Sequence, residues 1–176
     1  MVHRMEWCND RARYGAVSRI LHWLMALLIF VMLLIGWTID RIPREWKMVS
    51  LGIHKSLGII ILVLVIARFG WRLYNAPPPF PKFMARWEKT AAVAVHYLLY
   101  GFLLAMPLTG WAMTSAKGRP VVFLGIIQLP GLVDKDRELG KWLEEIHGDL
   151  ASLLTATVIL HAMAALHHYF IKKTMC

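Results

Sequence analysis

Four long apolar windows constrain this chain more than anything else in it. They cover residues 20–37, 52–71, 91–113 and 150–171. Each is close to the ~20 residues that a helix needs to cross a ~30 Å hydrocarbon core. Inside lipid every backbone polar group must be satisfied by the chain itself, which favours helices for separated apolar windows. The first window, ILHWLMALLIFVMLLIGW, has no polar stripe, unlike a helix with one face in water. At 176 residues and 58% hydrophobic content, four spans and their loops use up the chain. The expectation is an all-α integral membrane four-helix bundle, one domain over 1–176, with spans at about 18–38, 52–72, 91–114 and 146–171. The first window is longer than a signal-peptide core and is followed by TIDRIPREW, without a small-residue cleavage pattern. It is expected to stay as a helix.

The net charge of +9 sits beside these windows. Arg4, Arg11, Arg13 and Arg19 precede the first, against Glu6 and Asp10. Arg72, Lys82, Arg86 and Lys89 lie between the second and third with only Glu88, and Lys172 and Lys173 follow the fourth. The other two connections are nearly balanced. Arg41, Arg44 and Lys47 face Asp40 and Glu45, and Lys117, Arg119, Lys135, Arg137 and Lys141 face Asp134, Asp136, Glu138, Glu144 and Glu145. The positive-inside bias then places both termini and the middle loop in the cytoplasm. Basic residues that flank spans account for the high charge, so no nucleic-acid partner is expected. The two cysteines, Cys8 and Cys176, fall on the expected cytoplasmic side, where a disulfide is not expected. The absence of a C-x-x-C-H motif excludes covalent haem attachment.

Histidines number eight, and only His3 lies clearly outside the windows or their edges. Ionisable groups in a membrane are costly and face the bundle interior; here every window or its edge carries at least one. His147 and His161 are fourteen residues apart, which rotates a helix to about 40° short of four turns and spaces their α-carbons about 21 Å along the axis. The stretch LASLLTATVIL leading to His161 has no charge. Two imidazoles on one apolar face, at two depths, suit two stacked centres, each needing a partner from another helix. His54 and His147 lie near the outer face; His22, His96, His161, His167 and His168 lie in the inner half. By depth His54 is the partner of His147, whereas His161 has several candidates.

Zinc wants four clustered nitrogen or sulfur ligands, and the outer group offers two histidines without a cysteine. Two opposed imidazoles in an apolar surround suit a six-coordinate haem iron, which favours electron transfer over oxygen binding. A histidine-lined proton or metal transporter is the competing class; a proton relay would need carboxylates, and only Asp149 stands at a window edge. Gly58, four residues after His54, either admits a flat group or packs helices. Arg68, one turn inside the second span, either snorkels to the interface or holds a haem propionate. Pro107 is expected to kink its helix. The run Ala-Pro-Pro-Pro-Phe-Pro after Asn75 cannot be helical. VVFLGIIQLPGLV is apolar but too short to span, and reads as an external re-entrant or interfacial segment.

The order of these features resembles the prokaryotic cytochrome b561 family, including its superoxide oxidase-like members. The resemblance covers roughly residues 14 to 173. It rests on Ser18-Arg19-Ile20-Leu21-His22-Trp23, on His54, on His96 and Pro107 within HYLLYGFLLAMPLTG, and on His147 and His161 with HAMAALHHYF. It implies a multi-pass protein of the bacterial inner membrane with two haem b groups. Carried over, His22 and His161 ligate the iron of the inner haem, and His54 and His147 that of the outer one. His96 and His168 remain alternatives for an inner ligand. His22 is three residues past Arg19 but His161 is eleven before Lys172, so the inner pair requires a stagger or tilt.

The resemblance further implies ubiquinone as electron acceptor and superoxide oxidation at the outer face. His168, with His167 or Arg86, is then a quinone contact, and the five basic residues of the last loop form a positive funnel. The alternative function is a cytochrome b subunit that passes electrons between a partner dehydrogenase or hydrogenase and quinone. A short chain without an added domain leans toward the stand-alone oxidoreductase. Expected partners are quinone, the lipid bilayer and, in the subunit reading, a redox partner protein. No residue stands out as a catalytic acid, base or nucleophile.

Overall fold

A computed structural model describes residues 7–10, 13–81 and 84–170. His3, Arg4, Glu6, Arg11, Lys82, Lys172, Lys173 and Cys176 lie outside the described residues. Four helices, α1 (Ala16–Thr38), α2 (Arg44–Tyr74), α3 (Arg86–Ala116) and α4 (Arg137–Phe170), are each long and apolar enough to cross a membrane. The longest three, at 31, 31 and 34 residues, measure about 46–51 Å and so overshoot a ~30 Å hydrocarbon core at their ends. Pro43 precedes α2 and Asn75 ends it, because the proline run that follows cannot supply helical N–H groups. The Ala85 N–H at the start of α3 donates to the Glu88 carboxylate at 3.1 Å.

The helices run antiparallel, so the bundle has two ends. At the termini end, Trp71 Nε1–H donates to Ser18 Oγ at 3.0 Å, and Ser18 Oγ donates to Asn9 Oδ1 at 2.8 Å. Asn9 Nδ2 in turn reaches the Asn75 and Ala76 carbonyls. Gly15 lies so close to the Trp7 and Cys8 backbone that no Cβ fits. The segment before α1 is thereby pinned to the last turn of α2. At the opposite end Lys47 clamps the short α1–α2 loop through Asp40 at 2.8 Å. The hydrogen bond from Lys47, and then its charge, hold the fully exposed Asp40 carboxyl below the usual carboxylate range.

That second end also carries what the apolar segment VVFLGIIQLPGLV becomes. It is an antiparallel hairpin of β1 (Val121–Phe123) and β2 (Ile127–Leu129), with Val121 opposite Leu129. Pairing two short strands satisfies backbone groups that a re-entrant excursion would leave open in lipid. The turn places Leu124 (φ 52) and Gly125 (φ 72) in the left-handed region. The leucine, which rarely adopts it, is anchored by its N–H donating to Ser56 Oγ at 3.0 Å. Lys55 Nζ donates to the Pro120 carbonyl, Trp111 Nε1–H to the Pro130 carbonyl and the Leu132 N–H to Ser115 Oγ. The hairpin therefore lies tied to the ends of α2 and α3.

The buried apolar cluster is small: Met25, Ile61, Val65, Leu103 and Leu154, drawn from all four helices. Within a membrane such contacts stabilise by close packing, since lipid is as apolar as leucine. α1 packs on α2, α2 on α3, and α3 on α4, whereas among the described residues α4 has no comparable packing against α1 or α2. Leu154 stands seven residues from His147 and seven from His161, which puts it on the same helix face about 10 Å from each. The cluster thus forms an apolar partition between two levels of histidine. Elsewhere the helices turn large side chains such as Leu27, Phe30, Leu34, Val63 and Leu160 outward, as a lipid-facing surface requires.

Candidate functional site

The histidines that sequence spacing singles out meet in pairs across the gap between α4 and the first two helices. Near the hairpin end, His54 of α2 faces His147 of α4 with ring centres 6.4 Å apart and planes at 73°. Toward the termini end, His22 of α1 faces His161 of α4 at 6.3 Å and 85°. The stagger between His22 and His161 in sequence is absorbed by the helices, whose ends do not coincide. An ion held by two opposed imidazoles, with metal–nitrogen distances of about 2 Å and ring centres roughly 1.2 Å behind each nitrogen, sets those centres about 6.4 Å apart. Both pairs match that span. Among the described residues there is no cluster of three or more histidine, cysteine, aspartate or glutamate side chains able to hold a metal ion by themselves. The donor set therefore suits a centre whose remaining ligands travel with it, as a porphyrin's do.

Room and tautomer support the same fit at the hairpin-end pair. A Cβ at Gly36 of α1 would come within 3.5 Å of His54 Cε1, and one at Gly110 of α3 within 3.1 Å of His147 Cε1. Each imidazole thus leans on a glycine of the neighbouring helix. His147 Nδ1 lies 3.1 Å from Thr109 Oγ1. That hydroxyl has a single proton and stands 2.9 Å from both the Ala105 and Met106 carbonyls, to which a helical threonine donates. Thr109 is then the acceptor, His147 carries its proton on Nδ1, and Nε2 is left bare for a metal. His54 Nδ1 is buried without a hydrogen-bond partner.

The termini-end pair has more company. Arg68 Nη1 donates to His22 Nδ1 at 3.0 Å. Arginine is donor-only, so this contact holds the His22 proton on Nε2. A metal at Nε2 requires Arg68 to let go, which frees a guanidinium for an anionic group beside the same site. His96 of α3 packs on His161 with ring centres 5.3 Å apart. This is a normal edge-to-face contact and about 1 Å shorter than an interposed metal allows. His96 Nδ1–H donates to the Ala92 carbonyl at 2.6 Å. His167 and His168 are in ring contact with each other, 5.8 Å apart in the last turn of α4, beyond the paired level. A Cβ added at Gly58 would lie 3.8 Å from Met32 and 3.9 Å from Pro107, ordinary packing distances to the neighbouring helices.

The positive residues at the hairpin end are less uniform than their sequence suggests. Lys117 pairs with Glu144 at 2.7 Å and Lys141 with Glu138 at 3.1 Å. Among the described residues Arg119, Lys135 and Arg137 have no such ion pair. Lys135 extends its stem across Gly118, whose φ of +66° excludes a side chain beneath it. Lys55, bound to the carbonyl of Pro120, brings a further cation beside Arg119. Sequence reasoning passed over it, although its place directly after His54 marks it. Two cavities open here. One of about 250 Å³ is lined by Ser115, Arg119 and Gln128, and an apolar groove of about 450 Å³ runs past Gly52, Lys55, Ser56 and Leu124.

Comparisons with known proteins agree with this architecture. Residues 13–175 match the model of a family described as prokaryotic cytochrome b561. The chain is 29% identical over 172 residues to cytochrome b561 homolog 2 of Escherichia coli (strain K12), covering 96% of this chain and 91% of that one. It is 32% identical over 166 residues to a Yersinia pestis protein named "Probable superoxide oxidase CybB", covering 92% and 91%. Cytochrome b561 homolog 1 of Escherichia coli (strain K12) matches at 28% over 167 residues, 92% of each.

Proposed function

The chain belongs to the prokaryotic cytochrome b561 family, and we propose that it holds two haem b groups and oxidises superoxide at one membrane face while reducing ubiquinone near the other. Membership makes it a haem b-binding membrane protein with an electron-transfer role. The finer reading rests on one observation above others: two histidine pairs at metal-spanning distance, sharing α4 but drawing their partners from different helices. His54 and His147 would hold one haem and His22 and His161 the other. Bound there, haem b would supply a one-electron centre suited to electron transfer and not to oxygen binding.

The chain's own residues supply orientation, exclusion and charge. Thr109 and Gly110 fix the His147 ring. Met25, Ile61, Val65, Leu103 and Leu154 keep water from the space between the two levels. Arg68, beside His22, would hold a propionate. The positive-inside bias sets the termini end in the cytoplasm, so the hairpin end faces outward. Lys55, Arg119 and Lys135 there raise the concentration of a small anion near His54. His168, with His167 and Arg86, offers hydrogen bonds and protons to a quinone oxygen at the cytoplasmic end. The net reaction is two superoxide anions, one quinone and two protons giving two dioxygen and one quinol. The relative named "Probable superoxide oxidase CybB" favours this donor over a partner protein.

Stopped-flow mixing of the purified, oxidised full chain with superoxide tests the reading. Rapid appearance of the reduced haem spectrum, followed by reoxidation with a soluble ubiquinone, is the expected result. Lys55→Gln with Arg119→Gln slows the first phase roughly three- to tenfold at low salt and flattens its ionic-strength dependence. If superoxide leaves the haems oxidised, the stand-alone function is wrong and the electron donor is a partner protein.

A further inference from the structure

We propose that Thr109 is a positioning residue that sets the reduction potential of the centre at the hairpin end, through the Nδ1–H of His147. The inference deepens the function above and rests on His54 and His147 being a haem pair. Its basis is an asymmetry between the two ends. At His147, Nδ1–H donates to a hydroxyl whose own proton is committed to the Ala105 and Met106 carbonyls. At His54 the equivalent Nδ1 is buried without a partner. At His22 it lies beside Arg68, a donor-only group that cannot accept its proton. Of the rings in the two pairs, His147 alone has a described Nδ1 contact of the kind that raises the basicity of Nε2.

The chemistry follows from the donated proton. An imidazole N–H that donates to a fixed acceptor gains electron density at the opposite nitrogen and becomes a stronger metal ligand. A stronger ligand favours the oxidised, more highly charged iron over the reduced one. Thr109 therefore keeps the potential of the hairpin-end centre low relative to a site with two undonated imidazoles. Gly110 completes the device. With 3.1 Å between an added Cβ and His147 Cε1, it is the glycine that lets the ring approach the Thr109 hydroxyl. Neither residue is a ligand; α3 contributes to this centre through the pair Thr109-Gly110 and through the Met106 backbone, which hydrogen-bonds the same ring.

A redox titration of the purified full chain, followed by haem absorbance, tests the proposal. The wave belonging to the hairpin-end centre is first identified as the one lost in His54→Ala. Thr109→Val keeps the side-chain shape and removes the acceptor. The expected result is both haems retained, the hairpin-end wave moved about tenfold in its equilibrium toward the reduced form, or ~59 mV for one electron, and the other wave unmoved. Thr109→Ser, which keeps the hydroxyl, should return the wave to the wild-type position. Two bound haems with both waves unmoved in Thr109→Val would overturn the positioning role and leave the haem assignment standing. Retention of both haems in His54→Ala and in His147→Ala would instead overturn the haem assignment, and this proposal with it.

Discussion

His147→Ala is expected to purify with half the haem of the wild-type chain and to lose superoxide-driven quinone reduction to background. The reason is geometric. Among the described residues its ring is one of two imidazoles near the hairpin end, with His54 6.4 Å across from it and no third imidazole in ring contact with either. A haem left with one axial histidine is held weakly, because loss of even a supporting contact commonly costs tenfold or more in metal affinity. The centre at the termini end should survive, since Leu154 and the apolar cluster separate the two levels. Haem content by pyridine haemochrome, set against protein concentration, checks the first part, and the quinone assay checks the second. Two haems retained would mean that His147 is not a ligand.

The second large effect separates His161 from its neighbour His96. Both are half-buried and in ring contact with each other, so sequence position cannot choose between them. Distance favours His161, which stands 6.3 Å from His22, and leaves no room for a metal between His96 and His161 at 5.3 Å. Only the former span accommodates an interposed metal. His161→Ala should therefore lose one haem, and His96→Ala should keep two. A haem lost from His96→Ala but retained in His161→Ala would reverse the assignment and make His96 the ligand of the termini-end centre.

Lipid is a demanding solvent, and that is why so much of the fold was legible. An uninterrupted apolar window has few alternatives to a helix, and the four windows became α1 to α4. The hairpin was not legible, because its formation depends on Ser56 of another helix receiving the Leu124 N–H. A thirteen-residue apolar stretch carries no sign of that partner. Within the candidate site, the α4 spacing of His147 and His161 is a local property and can be read from a helical repeat. What surrounds each ring is not local. Arg68 reaches His22 across 46 residues and Thr109 reaches His147 across 38. In sequence Thr109 looks like any helical threonine bonded to its own backbone, and Gly110 like any packing glycine. Their adjacency after Pro107 was the available clue, within the same MPLTG stretch that carries the family resemblance. Likewise the five basic residues of the last loop read as one funnel until Glu144 and Glu138 are seen to engage two of them.

The central claim is that one bundle holds two bis-histidine haems. A reduced-minus-oxidised spectrum of the purified full-length chain, combined with its haem-to-protein ratio, tests it most directly. The account predicts b-type bands and two haems per chain. A ratio near one would show that one histidine pair holds no haem, and a spectrum without b-type bands would contradict the account altogether.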